Sequence, residues 1–129
     1  ITPFYRPKGE KGVRAAFNIC ARNQDDHAKN IGFLMDKSGA WKLAPAFDIT
    51  YAYNPQGLWT GTHQMTFNGK RDNFSLDDFK AVAKFAGLRQ GRYKKILDEV
   101  KSAVTEWPKL AKQNEVPTRI IRAIAAAHR

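Results

Sequence analysis

Every sustained apolar period in this chain is helical, which points to a mainly α fold. Val13, Ala16, Phe17 and Cys20 recur at i, i+3, i+4 and i+7 and predict a helix over 11–22. Leu76, Phe79, Val82, Ala83 and Ala86 form a second stripe. Tyr93, Ile96, Leu97, Val100, Val104 and Trp107 form a third, over roughly 90–107, and Ile120, Ile121 and Ile124 a fourth. The punctuation agrees. Ser75 is a good N-cap with Asp77 and Asp78 in the first turn, and Gly87 suits a C′ stop. Pro108 breaks or restarts the third helix, and Pro117 opens the last.

Extended structure has room only for small pieces. The apolar runs 31–35 and 41–44 flank Asp36-Lys37-Ser38-Gly39 and predict a hairpin that Pro45 ends. His63–Phe67 alternates weakly before Asn68-Gly69, a hairpin turn signal. The stretch 50–74 is otherwise irregular, and such stretches in small domains are often functional.

The chain has 129 residues, enough for one domain with a modest core. It carries 22 basic and 12 acidic residues, a net charge of +10, which favours polyanionic partners. Residues 75–129 hold 12 of the basic and 6 of the acidic side chains at helical spacing, equally the pattern of solvated helix faces. The single cysteine, Cys20, cannot form an internal disulfide and reads as a buried thiol in a reducing cytoplasm. No apolar run is long enough to span a membrane, and ITPFYRPKGEKG lacks a signal-peptide core. The absence of an initiator Met suits a piece of a longer or processed chain.

The chemistry concentrates between Asn23 and Asp48. Asn23-Gln24-Asp25-Asp26-His27-Ala28-Lys29-Asn30 packs more polar and charged groups than a core can satisfy, so it suits a loop at a site mouth. Asn30 follows Asp25 by five positions, a hairpin intervenes, and Asp48 comes next. Protein kinases use this layout: an Asp for the substrate hydroxyl, then an Asn and a second Asp for Mg²⁺. Mg²⁺ takes oxygen ligands, commonly one or two carboxylates plus ATP phosphates, and an amide oxygen adds a ligand without added negative charge.

Several local words go further. Phe17-Asn18, Ala21 to Asn30, and Leu43-Ala44-Pro45-Ala46-Phe47-Asp48-Ile49-Thr50 resemble the HipA family of serine/threonine kinases from toxin–antitoxin modules. Trp59 to Met65 and Asn68-Gly69-Lys70 also resemble that family, and the likeness runs over about 15–129. The resemblance implies that Asp25 is catalytic and that Asn30 and Asp48 hold Mg²⁺. It places His27 and Lys29 beside the nucleotide, and Phe47 where relatives often carry Tyr. It implies ATP and Mg²⁺ as cofactors. The implied partners are a helix-turn-helix (HipB-like) antitoxin, operator DNA through that complex, and a protein substrate such as an aminoacyl-tRNA synthetase, with no membrane. No Gly-rich phosphate loop or strand Lys is identifiable, so the chain reads as the C-terminal lobe portion of a kinase-like fold whose N-terminal lobe lies elsewhere. The expected division is an extension (1–14), the catalytic loop, hairpin and metal Asp (15–50), a loop (51–74) and a helical bundle (75–129).

Other readings stand beside these. Asp26 competes with Asp25 as the catalytic group, His27 suits a structural hydrogen bond to a carbonyl, Lys29 a solvated charge and Asp48 a turn. His63 reads as solitary and not catalytic, and Trp41, Trp59 and Trp107 as packing residues. For the whole chain, the alternative to a kinase lobe is a basic helical module that binds DNA or a DNA-binding antitoxin.

Overall fold

The computed structural model describes residues 10–129; most of the expected extension, with Lys8 and Gly9, lies outside the described residues. The chain runs through α1 (Glu10–Cys20), a 3-10 turn (Ala28–Asn30), β1 (Phe33–Met35) and β2 (Trp41–Leu43). Four helices follow: α2 (Leu76–Phe85), α3 (Arg92–Thr105), α4 (Trp107–Gln113) and α5 (Thr118–Ala127). The described residues are thus mainly helical with one two-stranded antiparallel hairpin.

The core forms where α1 and α3 pack. Ala16, Cys20 and Ala21 meet Ile96, Leu97, Val100 and Val104, with Val13, Phe17, Phe79, Leu88 and Tyr93 around them. These are the residues that helical spacing places on facing stripes. Small residues on α1 let the branched side chains of α3 approach closely. Burial pushes the Cys20 thiol up from its ordinary pKa, as expected of an inert core cysteine.

The caps explain the boundaries. Ser75 and Asp78 form a reciprocal capping box at the start of α2. At its end Gly87 sits at φ 68°, and Leu88 N–H reaches back to Ala83 O at 2.9 Å. That left-handed position suits glycine, so Gly87→Ala is expected to cost about 1 kcal/mol. Urea unfolding of the two proteins would measure it. Pro108 falls in the first turn of α4, so the third predicted helix ends at Thr105 and restarts at Trp107. Trp107 then donates its indole N–H to Ile121 O at 3.2 Å, joining α4 to α5.

The hairpin pairs Phe33 with Leu43, Leu34 with Lys42 and Met35 with Trp41. The Asp36 carboxylate closes its turn by accepting from Ser38 N–H, Ser38 O–H and Ala40 N–H. Those bonds hold the Asp36 carboxyl below its usual range, the Ser38 hydroxyl contributing most. Asn68-Gly69 also turns as expected, with Phe67 and Lys70 bridged antiparallel.

Packing departs from the sequence reading at three places. Trp41 and Trp59 are not packing residues: they are 68% and 70% exposed. The hairpin has no second layer over it among the described residues, and Trp59 projects from a tight surface turn held by Gly57 N–H to Asn54 O, Gly61 N–H to Gly57 O and Gln56 N–H to Asn54 Oδ1. Leu76, although in register with the α2 stripe, is exposed in the first turn. No helix among the described residues is long and apolar enough to cross a membrane.

Candidate functional site

The polar loop begins where α1 stops. Asn23 N–H bonds Asn18 O at 2.9 Å, and Gln24 N–H bonds Ala52 O at 3.1 Å, while Ala52 N–H returns to Arg22 O at 3.0 Å. The chain leading into Asp25 is therefore stitched to the chain leading away from Asp48. The Asn23 side chain, almost wholly buried, adds a second stitch. Its amide nitrogen donates to Asn18 Oδ1 at 3.1 Å and to Asp48 O at 3.5 Å.

Asp25 and Asp26 are adjacent but have different surroundings. Asp26 is committed to structure. One carboxylate oxygen accepts from Gln64 N–H at 2.7 Å, the other pairs with His63 Nδ1 at 2.9 Å. Because the carboxylate only accepts, Nδ1 carries the proton of that bond. His63 is 1% exposed, with its edge against Phe74, so it is a buried partner of Asp26 rather than a solitary loop residue. The Asp25 carboxylate is half exposed and lies 3.9 Å from His27 Nε2. Among the described residues His27 makes no carbonyl bond: its buried Nδ1 meets no partner there.

Asn30 ends the 3-10 turn and donates its side-chain amide to Asp25 O at 3.1 Å. That bond fixes the spacing between the two residues and leaves the amide oxygen available. Asp48 lies beyond β2 with φ 54°, a left-handed backbone that Asp tolerates and most residues resist. Arg14 secures the approach by donating to Ala44 O at 2.5 Å. Phe47 is exposed on one side, and its ring lies over Gly32, where an added Cβ would meet a ring carbon at 3.2 Å.

A cavity of about 60 Å³ opens among these elements. Asn23, Asp26, His27, Asn30, Asp48 and His63, with Arg14, Asn18 and Thr66, supply its polar lining, and Ile31, Leu43 and Phe67 part of its apolar wall. Of the expected site residues it gathers His27, Asn30 and Asp48; Asp25, Lys29 and Phe47 lie off its wall, Asp25 tied to it through Asn30. Lys29 is exposed on the 3-10 turn. Among the described residues no three His, Cys, Asp or Glu side chains converge to hold a metal ion by themselves.

Asn23 and His63 are the residues that sequence reasoning left without a role, and Asp26 was weighed only as the alternative to Asp25. For Asn23 and Asp26 a signal existed in their density beside Asp25; for His63, 37 positions beyond Asp26, there was none.

A search of curated proteins and of solved structures finds no significant match to this chain. The family model described as the HipA-like C-terminal domain matches residues 9–107, which takes in α1, the polar loop, the hairpin, Asp48, α2 and α3 and stops at the start of α4. With most of its length matched, the chain belongs to the HipA-like C-terminal domain family.

Proposed function

We propose that this domain is the catalytic-loop and metal-binding part of an ATP- and Mg²⁺-dependent serine/threonine protein kinase of the HipA toxin type. The observation that carries this reading is the coupling of Asn30 to Asp25 through one hydrogen bond, with Asn30 and Asp48 on the wall of one cavity. In this reading Asp25 orients the substrate hydroxyl and accepts its proton. Asp26 cannot serve, because its oxygens are occupied by His63 and the backbone of 64–65.

The residues fit a hard cation. Asn30 presents an amide oxygen and Asp48 an exposed carboxylate with no salt bridge to a Lys or Arg among the described residues. Two such oxygens leave the remaining positions to phosphate and water, which is how Mg²⁺ is usually shared with a nucleotide. When bound, Mg²⁺ with ATP would supply charge neutralisation for phosphoryl transfer. His27 and Lys29 are assigned to the nucleotide side and Phe47 to an apolar contact with it. The phosphate grip belongs to an N-terminal lobe supplied by the rest of the protein. The same reading makes a helix-turn-helix antitoxin, operator DNA through it, and an aminoacyl-tRNA synthetase substrate the proposed partners, in the cytoplasm.

Mn²⁺ titration of the ¹⁵N-labelled chain tests the metal assignment. Broadening is expected first at the Asn30 side-chain amide and the Asp48 backbone amide, and Asp48→Ala should weaken the affinity about tenfold or more. The chain alone should turn over no ATP. Broadening spread evenly over surface carboxylates such as Asp77, Asp98 and Glu99 would remove the metal site from this proposal.

A further inference from the structure

Helix α1 ends without a glycine. Arg22 takes the C′ position at φ 58°, and the Asn23 to Asn18 bond closes the same motif that Gly87 closes at the end of α2. A left-handed arginine is disfavoured by its Cβ and persists where the surroundings hold it.

Those surroundings come largely from the last residue of α5 and the two residues after it. Arg22 Nε donates to Ala127 O at 2.8 Å, and the guanidinium lies over the Tyr53 ring, 4.2 Å from its centroid. Arg129 N–H bonds Cys20 O at 2.9 Å, and the Arg129 guanidinium pairs with the Asp72 carboxylate. The His128 ring meets Tyr51 and Trp107 edge-on, each at 6.3 Å between centroids. Arg22 is half-buried and has no carboxylate in salt-bridge range among the described residues. Burial, and then the neighbouring Arg129 charge, pull its pKa down from the ordinary arginine value. A cation kept in such a place is held by direction: one carbonyl and one ring face.

The stretch 127–129 therefore closes on the point where residues 22–24, leading into Asp25, pair with Ala52, just after Asp48. We propose that Ala127–Arg129 is a positioning clamp, acting through Arg22, that sets where Asp25 stands relative to Asp48. It lies beyond the residues matched by the family model, 9–107. Its effect on turnover rests on the kinase reading, but the mechanical coupling does not.

Amide hydrogen exchange on the 129-residue chain tests the coupling. Arg22→Gly relieves the backbone strain while deleting the guanidinium, so a mere helix stop would be preserved or improved. Arg129→Ala opens the clamp from its other end without touching Arg22. Both are expected to raise exchange at the Gln24 and Ala52 amides about tenfold, with the Ile96–Val100 amides changed less than about twofold. In the complete protein, the same variants should lower kcat with little change in the KM for ATP. Unchanged exchange at Gln24 and Ala52, or an equal rise throughout α3, would overturn the clamp. A rise confined to those amides in a protein that shows no kinase activity would support the clamp and defeat only the kinase reading. A rise with wild-type kcat would refute its positioning role.

Discussion

Asp25→Ala, in a complete protein that carries this domain, is expected to cut phosphoryl transfer by about 10²–10⁴-fold while Mg·ATP affinity stays within about twofold. The expectation follows from where the carboxylate sits. It lies 3.9 Å from His27 Nε2, and its backbone carbonyl, not its side chain, anchors Asn30. Removing the carboxylate therefore leaves the loop's hydrogen bonds in place and takes away only the group proposed to face the substrate. Radiolabelled phosphate transfer, with calorimetry of Mg·ATP binding, separates the two effects. Loss of nucleotide binding together with turnover would mean that Asp25 serves the metal and that the roles here are misassigned. Asp26 offers the contrast: its substitution should unfasten the loop from residues 63–65 and show first as lost stability.

Asp78→Ala should lower the Tm by roughly 8–12 °C. Asp78 is 3% exposed and occupied on both oxygens. Lys70 Nζ, Ser75 N–H and Ser75 O–H reach Oδ2 at 2.8, 2.7 and 2.9 Å, and Asn68 Nδ2 reaches Oδ1 at 2.8 Å. One side chain thus caps α2 and fastens the 67–70 turn to it. The Lys70 hydrogen bond, followed by those from Ser75 N–H and Asn68, holds this carboxyl far below the ordinary carboxylate range. A depressed native pKa means that its contribution is complete above the unfolded value, about 4. It is lost progressively as the pH falls toward the native value. Thermal unfolding followed by circular dichroism between pH 2 and 7 should show that acid-side slope, and Asp78→Asn should flatten it. An Asp78→Asn protein with the parent's slope would assign the acid sensitivity to other carboxylates.

What the sequence made legible was local. Helical spacing located α1, α2, α3 and α5, because one stripe of side chains decides one helix, and the short apolar runs around Asp36–Gly39 could only pair with each other. Asp25, Asn30 and Asp48 stood out for the same reason: two lie within one turn of loop and the third follows a single hairpin. What stayed hidden depends on partners far along the chain. Asp26 looked interchangeable with Asp25 until His63 and Gln64 came to it. The stop at Arg22 had no glycine to announce it, and its side chain meets a carbonyl 105 positions later. Trp41 and Trp59 misled because a large aromatic is expected to pack, whereas here the surface beneath offers no layer to receive them.

The backbone at Asp48 has a consequence for heredity. At φ 54° the residue must tolerate a left-handed conformation, and the role proposed for it adds the demand of an oxygen ligand. Glu would keep the charge and lose the backbone fit. Asn and Gly, both a single base change from an Asp codon, fit the backbone best and discard the charge. Under the metal role proposed above, those two changes keep the backbone fit and remove the ligand charge. Under the toxin reading proposed above, that is a short and reversible path between an armed allele and a harmless one.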